Sequence, residues 1–296
     1  MFSSRTARAL RALAPRGAAA PARAASAYPP LAAWTSVGDA AALGQGAPHE
    51  QRNLLRGAWT RAAATETVID PLVGGAMLRV PATSDAEAAA FGASLAAAGK
   101  SGLHNPFARV ERYVMLGKVS VRAGAALRDP EINAHFARLI QRTSPKSWAE
   151  ASGEVNVCAA FLENFGGDNV RFLARGFSVP GNHAGQRSHG HRFPFGPVAI
   201  VTPFNFPLEI PLLQTMGALY MGNKVLLKVD SKVSVVMEEF MRLLHAVGLP
   251  AEDVDMVRGP RRARAPRAPR FAHPPPPRCT PTGRLLAGCS RRCSRA

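Results

Sequence analysis

Acidic residues are missing from both ends of this chain. Residues 1–38 hold five arginines and no Asp or Glu, and residues 258–296 hold eleven arginines and again no acid. Between them, residues 39–257 carry 21 basic and 20 acidic side chains, so the formal charge of +17 belongs to the ends. The body is nearly neutral, which argues against a nucleic-acid-binding protein, whose footprint is a basic face on a folded domain. Cysteine is scarce too. Of 4 in 296 residues, Cys279, Cys289 and Cys293 lie in the arginine-rich end at spacings that match no zinc pattern. No disulfide framework is implied. Cys158 sits in EVNVCAAF, the apolar helical context of a small buried hydrophobe. No stretch approaches the ~20 apolar residues of a membrane-crossing helix, and there is no internal repeat.

The first end does contain Arg5, Arg8, Arg11, Arg16 and Arg23 among Ala, Leu and Ser. This is the composition of an organellar transit peptide, and the spacing of the first three lines one face of a helix. It lacks the apolar core, about 7 to 15 residues, of a secretory signal. The expectation is a transit peptide over residues 1–38 and delivery to the mitochondrial matrix, with plastid as the other destination. An Ala-rich disordered tail without an address is the competing reading of the same composition. The last end, 258–296, contains no Lys, Asp, Glu, Ile, Asn or Tyr. That is the profile of a GC-rich gene translated out of frame or through an intron, and the segment is expected to be disordered. A basic, proline-rich interaction tail is the rival. It is disfavoured because composition changes inside an apolar strand-like run, whereas an evolved tail follows a complete element.

The body reads as α/β. Residues 197–202 form a short β-branched run of the kind found in buried parallel strands. In the TPFNFP that follows, Pro203 and Pro207 bracket Asn205, and each fixes its own φ and biases the residue before it toward extended geometry. Pro207 suits the first turn of a helix. Leu208, Leu212, Met216, Leu219 and Tyr220 recur at helical spacing, Gly222 and Asn223 stop the helix, and 224–229 supply a second strand. This is a βαβ unit, whose right-handed crossover puts both strands in one parallel sheet. Upstream, 67–78 reads as a strand broken by Asp70-Pro71 and Gly74-Gly75. Thr83 and Ser84 cap an Ala-rich helix to about residue 98, and 107–175 is helical with breaks at Asp129-Pro130 and Ser144-Pro145. A hairpin is expected over 177–195, an amphipathic helix over 233–247, and a third strand over 253–257. That strand is expected to have an open edge, leaving apolar surface that favours association.

Ligands in open α/β sheets bind at the C-terminal edge of the strands, which here presents Asn205 and Lys228. An amide on a proline-stiffened corner is a preorganised donor for a developing oxyanion, and a lysine offers three donors. By default, however, a lone loop Asn bonds its own backbone and a strand-end Lys is a solvated charge. Residue chemistry alone does not choose. His183, His189 and His191 lie close in sequence, but no Cys or carboxylate completes a recognised metal shell.

These residues stand within a longer pattern. GPVAIVTPFNFPLEIPLLQTMGALYMGNKVLLKVDSKVS (196–234), with LHNPF (103–107), RLIQRTSPKS (138–147) and FLENFGGDNVRFLARGFSVPGNH (161–183), resembles the aldehyde dehydrogenase superfamily, in its plant-type Δ1-pyrroline-5-carboxylate dehydrogenase branch. The resemblance covers about 49–257. It implies a partial Rossmann-like nucleotide-binding domain with N-terminal helices, and NAD as cofactor. The implied reaction is oxidation of L-glutamate γ-semialdehyde, the open form of pyrroline-5-carboxylate, to glutamate in proline catabolism. It also implies that the Asn205 amide holds the oxyanion formed when a cysteine thiolate attacks the aldehyde. Lys228 would bind the adenosine ribose, and Val201, Thr202, Pro203 and Phe204 would line the cofactor cleft. Ser231 stands where many relatives carry a ribose-binding glutamate, which leaves NAD and its phosphorylated form both open. The arm at 177–195 would pair subunits of a homo-oligomer.

Past 257 the family continues through a glycine-serine turn at the pyrophosphate, a glutamate general base, the cysteine nucleophile and the catalytic domain. None of these has a counterpart here. The expectation is therefore an oxidoreductase by family whose own chain is inactive. The alternatives are a non-catalytic fragment that pairs with intact subunits and a basic nucleic-acid-binding protein.

Overall fold

The computed structural model describes residues 28–259. Expectations placed on 1–27 and 260–296, including disordered ends, lie outside the described residues. A 3-10 turn at Leu31–Ala33 precedes β1 (His49–Glu50), β2 (Asn53–Leu55) and β3 (Ala58–Thr60), then β4 (Thr65–Ile69) and β5 (Ala76–Pro81). Helices α1 (Asp85–Ala96), α2 (Glu111–Arg128), α3 (Pro130–Thr143) and α4 (Trp148–Asn164) follow, then β6 (Phe177–Pro180) and β7 (Arg187–Gly190). The last elements are β8 (Pro197–Val201), α5 (Glu209–Tyr220), β9 (Lys224–Lys228), α6 (Ser234–Ala246) and β10 (Val254–Met256).

Local chemistry sets the helix ends. Ser84 and Glu87 close a capping box at the start of α1, and Ser147 and Glu150 close another at α4. Asp129 caps α3 through the amides of Glu131 and Ile132, with Pro130 in the first turn where its missing N–H is harmless. Gly248, at φ 108, takes the left-handed geometry that ends α6. Leu116 and Leu127 of α2, Phe136, Leu139 and Ile140 of α3, and Val155 and Leu162 of α4 have no exposure at all. These helices share one core with α5 and α6.

The main sheet has the order β3-β2-β10-β9-β8. β8, β9 and β10 run parallel, with Val201 opposite Lys228 and Val254 opposite Val225. The mixed α/β architecture expected from the sequence is present, with three differences. First, β10 does not have an open edge: β2 pairs with it antiparallel, Met256 opposite Leu54. The pairing comes from a hairpin not foreseen in the sequence, in which Arg56 and Gly57 both take positive φ, 49 and 80, as a two-residue primed turn requires. Second, β8 is not a buried strand. It is an edge strand, packing only Val198 and Ile200 against the core while Val201 stays 71% exposed. Third, Pro207 precedes the helix instead of opening it. α5 begins at Glu209, and Pro211 occupies its first turn.

Residues 28–38, which end the segment given a targeting role in the sequence, are packed. Trp34 stacks on Phe136 with ring centroids 6.0 Å apart. Glu239 of α6, fully buried, accepts from Thr35 Oγ1 and Ser36 Oγ, each at 2.5 Å, and from Ser36 N–H at 3.1 Å. Burial by itself raises the pKa of Glu239, but His135, Ser36 and Thr35 outweigh it and hold the group below the ordinary value of 4.5. A carboxylate depressed in the folded state contributes stability that is present above its unfolded pKa and lost as pH falls through the folded one. Glu239→Gln is therefore expected to lower stability at pH 7 by about 3 kcal/mol and to flatten the loss of stability below pH 4.5. Denaturant titrations at neutral and acid pH measure both, and an unchanged acid limb would count against this account.

Candidate functional site

The C-terminal ends of β8 and β9 form one lip of the sheet. Beyond their last pair, the Thr202 N–H donates to the Lys228 carbonyl at 3.1 Å, so the register runs into the corner that follows. Thr202 is 5% exposed and its hydroxyl has no hydrogen-bond partner among the described residues. Pro203 and Phe204 are exposed, and the Lys232 ammonium lies 5.7 Å from the Phe204 ring centroid. Asn205 is exposed as well, and no other described residue hydrogen-bonds its amide. Two N–H donors therefore face solvent from a stiff corner, free to meet an incoming oxygen.

The corner is held from outside. Glu154 of α4, 3% exposed, accepts through Oε1 from the backbone N–H of Leu208 at 2.8 Å and of Glu209 at 3.0 Å. This places a negative charge on the N-terminus of α5, where the orphan donors and the dipole both favour it. Its Oε2 accepts from the Lys146 ammonium at 2.6 Å, and that ammonium lies 4.0 Å from the ring centroid of Phe206. Glu154 of α4 and Lys146 of the loop before it thus hold the arm of the turn that follows Asn205, from Phe206 to Glu209. Neither was singled out in the sequence. Only the Ser147–Glu150 capping box, which starts α4, hints that Glu154 belongs to an ordered face.

On the β9 side, Lys228 is half-buried and cross-strand from Val201. Ser231 donates its hydroxyl to the Gly259 carbonyl at 3.3 Å. A side chain at Gly259 would come within 4.0 Å of Lys228 Cε, so the chain after β10 passes over the lysine stem. The sheet brings Val201, Thr202, Lys228 and Ser231 to one edge. Pro203, Phe204 and Asn205 stand beside them on the corner.

Cys158 lies on α4 one turn past Glu154 and is fully buried. Burial pushes its thiol well above 9.0, and the charges of Glu154 and Glu209 add to the rise. Glu209 is itself raised above 4.5, by burial and then by Glu154. His183, His189 and His191 are exposed, His191 packing edge-on against Phe107 at 4.7 Å. Among the described residues there is no group of three or more His, Cys, Asp or Glu suited to a metal ion.

A sequence profile of the aldehyde dehydrogenase family matches residues 59–267. The chain is 57% identical over 219 residues to a probable aldehyde dehydrogenase of Linum usitatissimum, covering 74% of this chain and 40% of the relative. It is 56% identical over 219 residues to the mitochondrial delta-1-pyrroline-5-carboxylate dehydrogenase 12A1 of Arabidopsis thaliana, covering 74% of this chain and 39% of that one. The chain therefore spans about two fifths of the length of these relatives. In structure it superposes on the NAD-dependent benzaldehyde dehydrogenase of Corynebacterium glutamicum with a TM-score of 0.59 at 21% identity, over 71% of this chain and 43% of the other.

Removing the Glu154 carboxylate should loosen the corner. Glu154→Ala leaves Lys146 without its partner and two amides without an acceptor, a change expected to cost about 3 kcal/mol. Amide hydrogen exchange at Leu208 and Glu209 should accelerate beyond the global change in stability. Exchange there that merely follows global unfolding would show that the corner is held by other contacts.

Proposed function

The chain belongs to the aldehyde dehydrogenase family, and from that premise we propose that it is the N-terminal and cofactor-binding part of a mitochondrial L-glutamate γ-semialdehyde dehydrogenase. The observation that carries this is the meeting of Lys228, Ser231 and Val201 on one sheet edge beside the unengaged amide of Asn205. The substrate follows the printed name of the Arabidopsis relative.

The edge suits a dinucleotide. Lys228 offers three donors at a strand end, Ser231 a hydroxyl, and Thr202 a buried hydroxyl still lacking a partner. Lys228 and Ser231 would hold the adenosine ribose, with Val201, Thr202, Pro203 and Phe204 along the cleft. When bound there, NAD supplies the hydride acceptor for aldehyde oxidation. Asn205 would donate its amide N–H to the substrate oxygen as negative charge develops on it, at a position set by Glu154 and Lys146. The exposed ring of Phe204 would cover apolar surface and exclude water from the lip.

The nucleophile is a separate matter. Cys158 is the only cysteine among the described residues, and its buried, protonated thiol cannot attack an aldehyde. We place the targeting segment ahead of Tyr28, since residues 28–38 pack against the core, and the folded portion over 28–259. The divergent tail lies past residue 267, where the family match ends. Processing ahead of Tyr28 would preserve the Trp34 contacts. No helix of the described residues is long and apolar enough to cross a membrane. In the full-length protein, the exposed β6–β7 hairpin would pair subunits.

The purified 296-residue chain is expected to bind NAD, and Lys228→Ala to weaken that binding about tenfold. It is also expected to form no NADH from glutamate γ-semialdehyde, because loss of a nucleophile removes many orders of magnitude in rate. Calorimetric titration and absorbance at the NADH band measure the two. Binding indifferent to Lys228 would overturn the cofactor site. Turnover abolished by Cys158→Ala would show that the nucleophile had been misassigned.

A further inference from the structure

Among the described residues, only two other than glycine have left-handed backbone: Arg56 at φ 49 and Arg109 at φ 56. This region is unfavourable for a long side chain. Arg56 opens the two-residue turn between β2 and β3, a place where Asn, Asp or Gly is favoured. Arg109 follows the tight turn bridged by Asn105 and Ala108, just ahead of α2. The two are far apart in sequence, yet both line one open cavity of about 450 Å³.

Nothing in the fold uses their charge. Both are exposed, and neither guanidinium has a hydrogen bond or ion pair with another described residue. The remaining cations of the lining are already engaged. Arg112 pairs with Asp253 at 2.5 Å, and Lys224 lies 3.5 Å from Asp255 while donating to the Glu252 carbonyl. Against the exposed Glu252, the two arginines leave the mouth net positive. Ala97, Ala98, Leu103 and Ala251 give the cavity an apolar wall, and its volume is in the range of small-molecule sites.

We propose that this cavity binds the oxyanion of a small metabolite, a carboxylate or a phosphate, gripped by Arg56 and Arg109. Guanidinium forks match both groups through paired N–H···O bonds. The site is distinct from the lip that carries Asn205. Lys224 begins β9 and Lys228 ends it, so the two places lie on opposite edges of the sheet, about 13 Å apart along the strand. The Arg56 backbone N–H is held by Asp255 Oδ1 at 2.7 Å, but both left-handed arginines leave their guanidinium groups unpaired at one cavity, which is what a ligand site retains at a cost to stability.

The test exploits that cost. Asn carries no charge and suits left-handed geometry, so Arg56→Asn together with Arg109→Asn should melt at or above the wild-type temperature while losing the site. Orthophosphate and succinate serve as separate probes of the full chain, read by hydrogen-exchange mass spectrometry. Either probe should slow exchange in peptides covering 97–112 and 250–256, with about tenfold weaker apparent affinity in the double variant. Which probe acts identifies the oxyanion. Equal protection in wild type and variant, or protection confined to peptides after residue 259, would overturn the proposal. So would a double variant that melts well below wild type, since that would give the arginines a structural role.

Discussion

Two adjacent carboxylates on α6 hold the molecule together. Glu238 and Glu239 are both fully buried, and successive residues on a helix point about 100° apart, so the pair reaches in two directions. Glu239 binds the segment around Thr35 and Ser36. Glu238 takes the Arg258 guanidinium at 2.8 Å, the Arg52 N–H and the Gln51 amide at 3.3 Å each, and Arg242 at 2.9 Å. Buried charge is tolerated only when paired and fully hydrogen-bonded. The chain therefore cannot place α6 against the sheet without also recruiting β2 from its early part and the end of β10 from its late part. Arg258 belongs to that set: it has no exposure, its N–H donates to Asn53 Oδ1 at 2.9 Å, and its guanidinium also reaches the Arg52 carbonyl.

That recruitment decides which edges the sheet exposes. With β2 and β3 added beyond β10, the parallel trio is closed on one side and open only at β8. The C-terminal ends of the trio carry Lys228 and the Asn205 corner, and the N-terminal ends carry Lys224 and Asp253. The Arg56–Gly57 turn belongs to the hairpin that Glu238 secures, and Ala251 packs 3.0 Å from where a Gly57 side chain would begin. One set of buried pairings thus positions both ends of the parallel trio, the lip that carries Lys228 and the basic cavity across from it.

Much of this was legible in the sequence wherever the cause is local. The breaks at Asp129-Pro130 and Ser144-Pro145, the Ser84 cap of α1, the βαβ unit and the 177–195 hairpin all follow from residues within a few positions of one another. What was missed depends on contacts across the chain. Leu54 opposite Met256 is such a contact, and without it β10 looks like an edge. The β-branched run of β8 looks buried because burial depends on whether another strand lies beyond it, which composition does not report. Arg56-Gly57 carries no turn signal in the sequence because Arg is not a turn-former. The same oddity is what marks its cavity. Asn205 and Lys228 stand out in the sequence only through the family pattern, since their residue chemistry alone favours the ordinary roles of loop and surface.

Glu154 shows how tightly one residue can link packing to chemistry. Its carboxylate accepts from Lys146 and from the amides of Leu208 and Glu209, in the segment that follows Asn205. It also sits one helical turn before Cys158 and adds to the burial that keeps that thiol protonated. An anion fixed this close disfavours a thiolate, so the carboxylate that holds the corner also quiets the nearby sulfur as a nucleophile. The corner meets solvent on the open side of β8, where Val201, Phe204 and Asn205 are exposed, away from the buried face that holds Cys158.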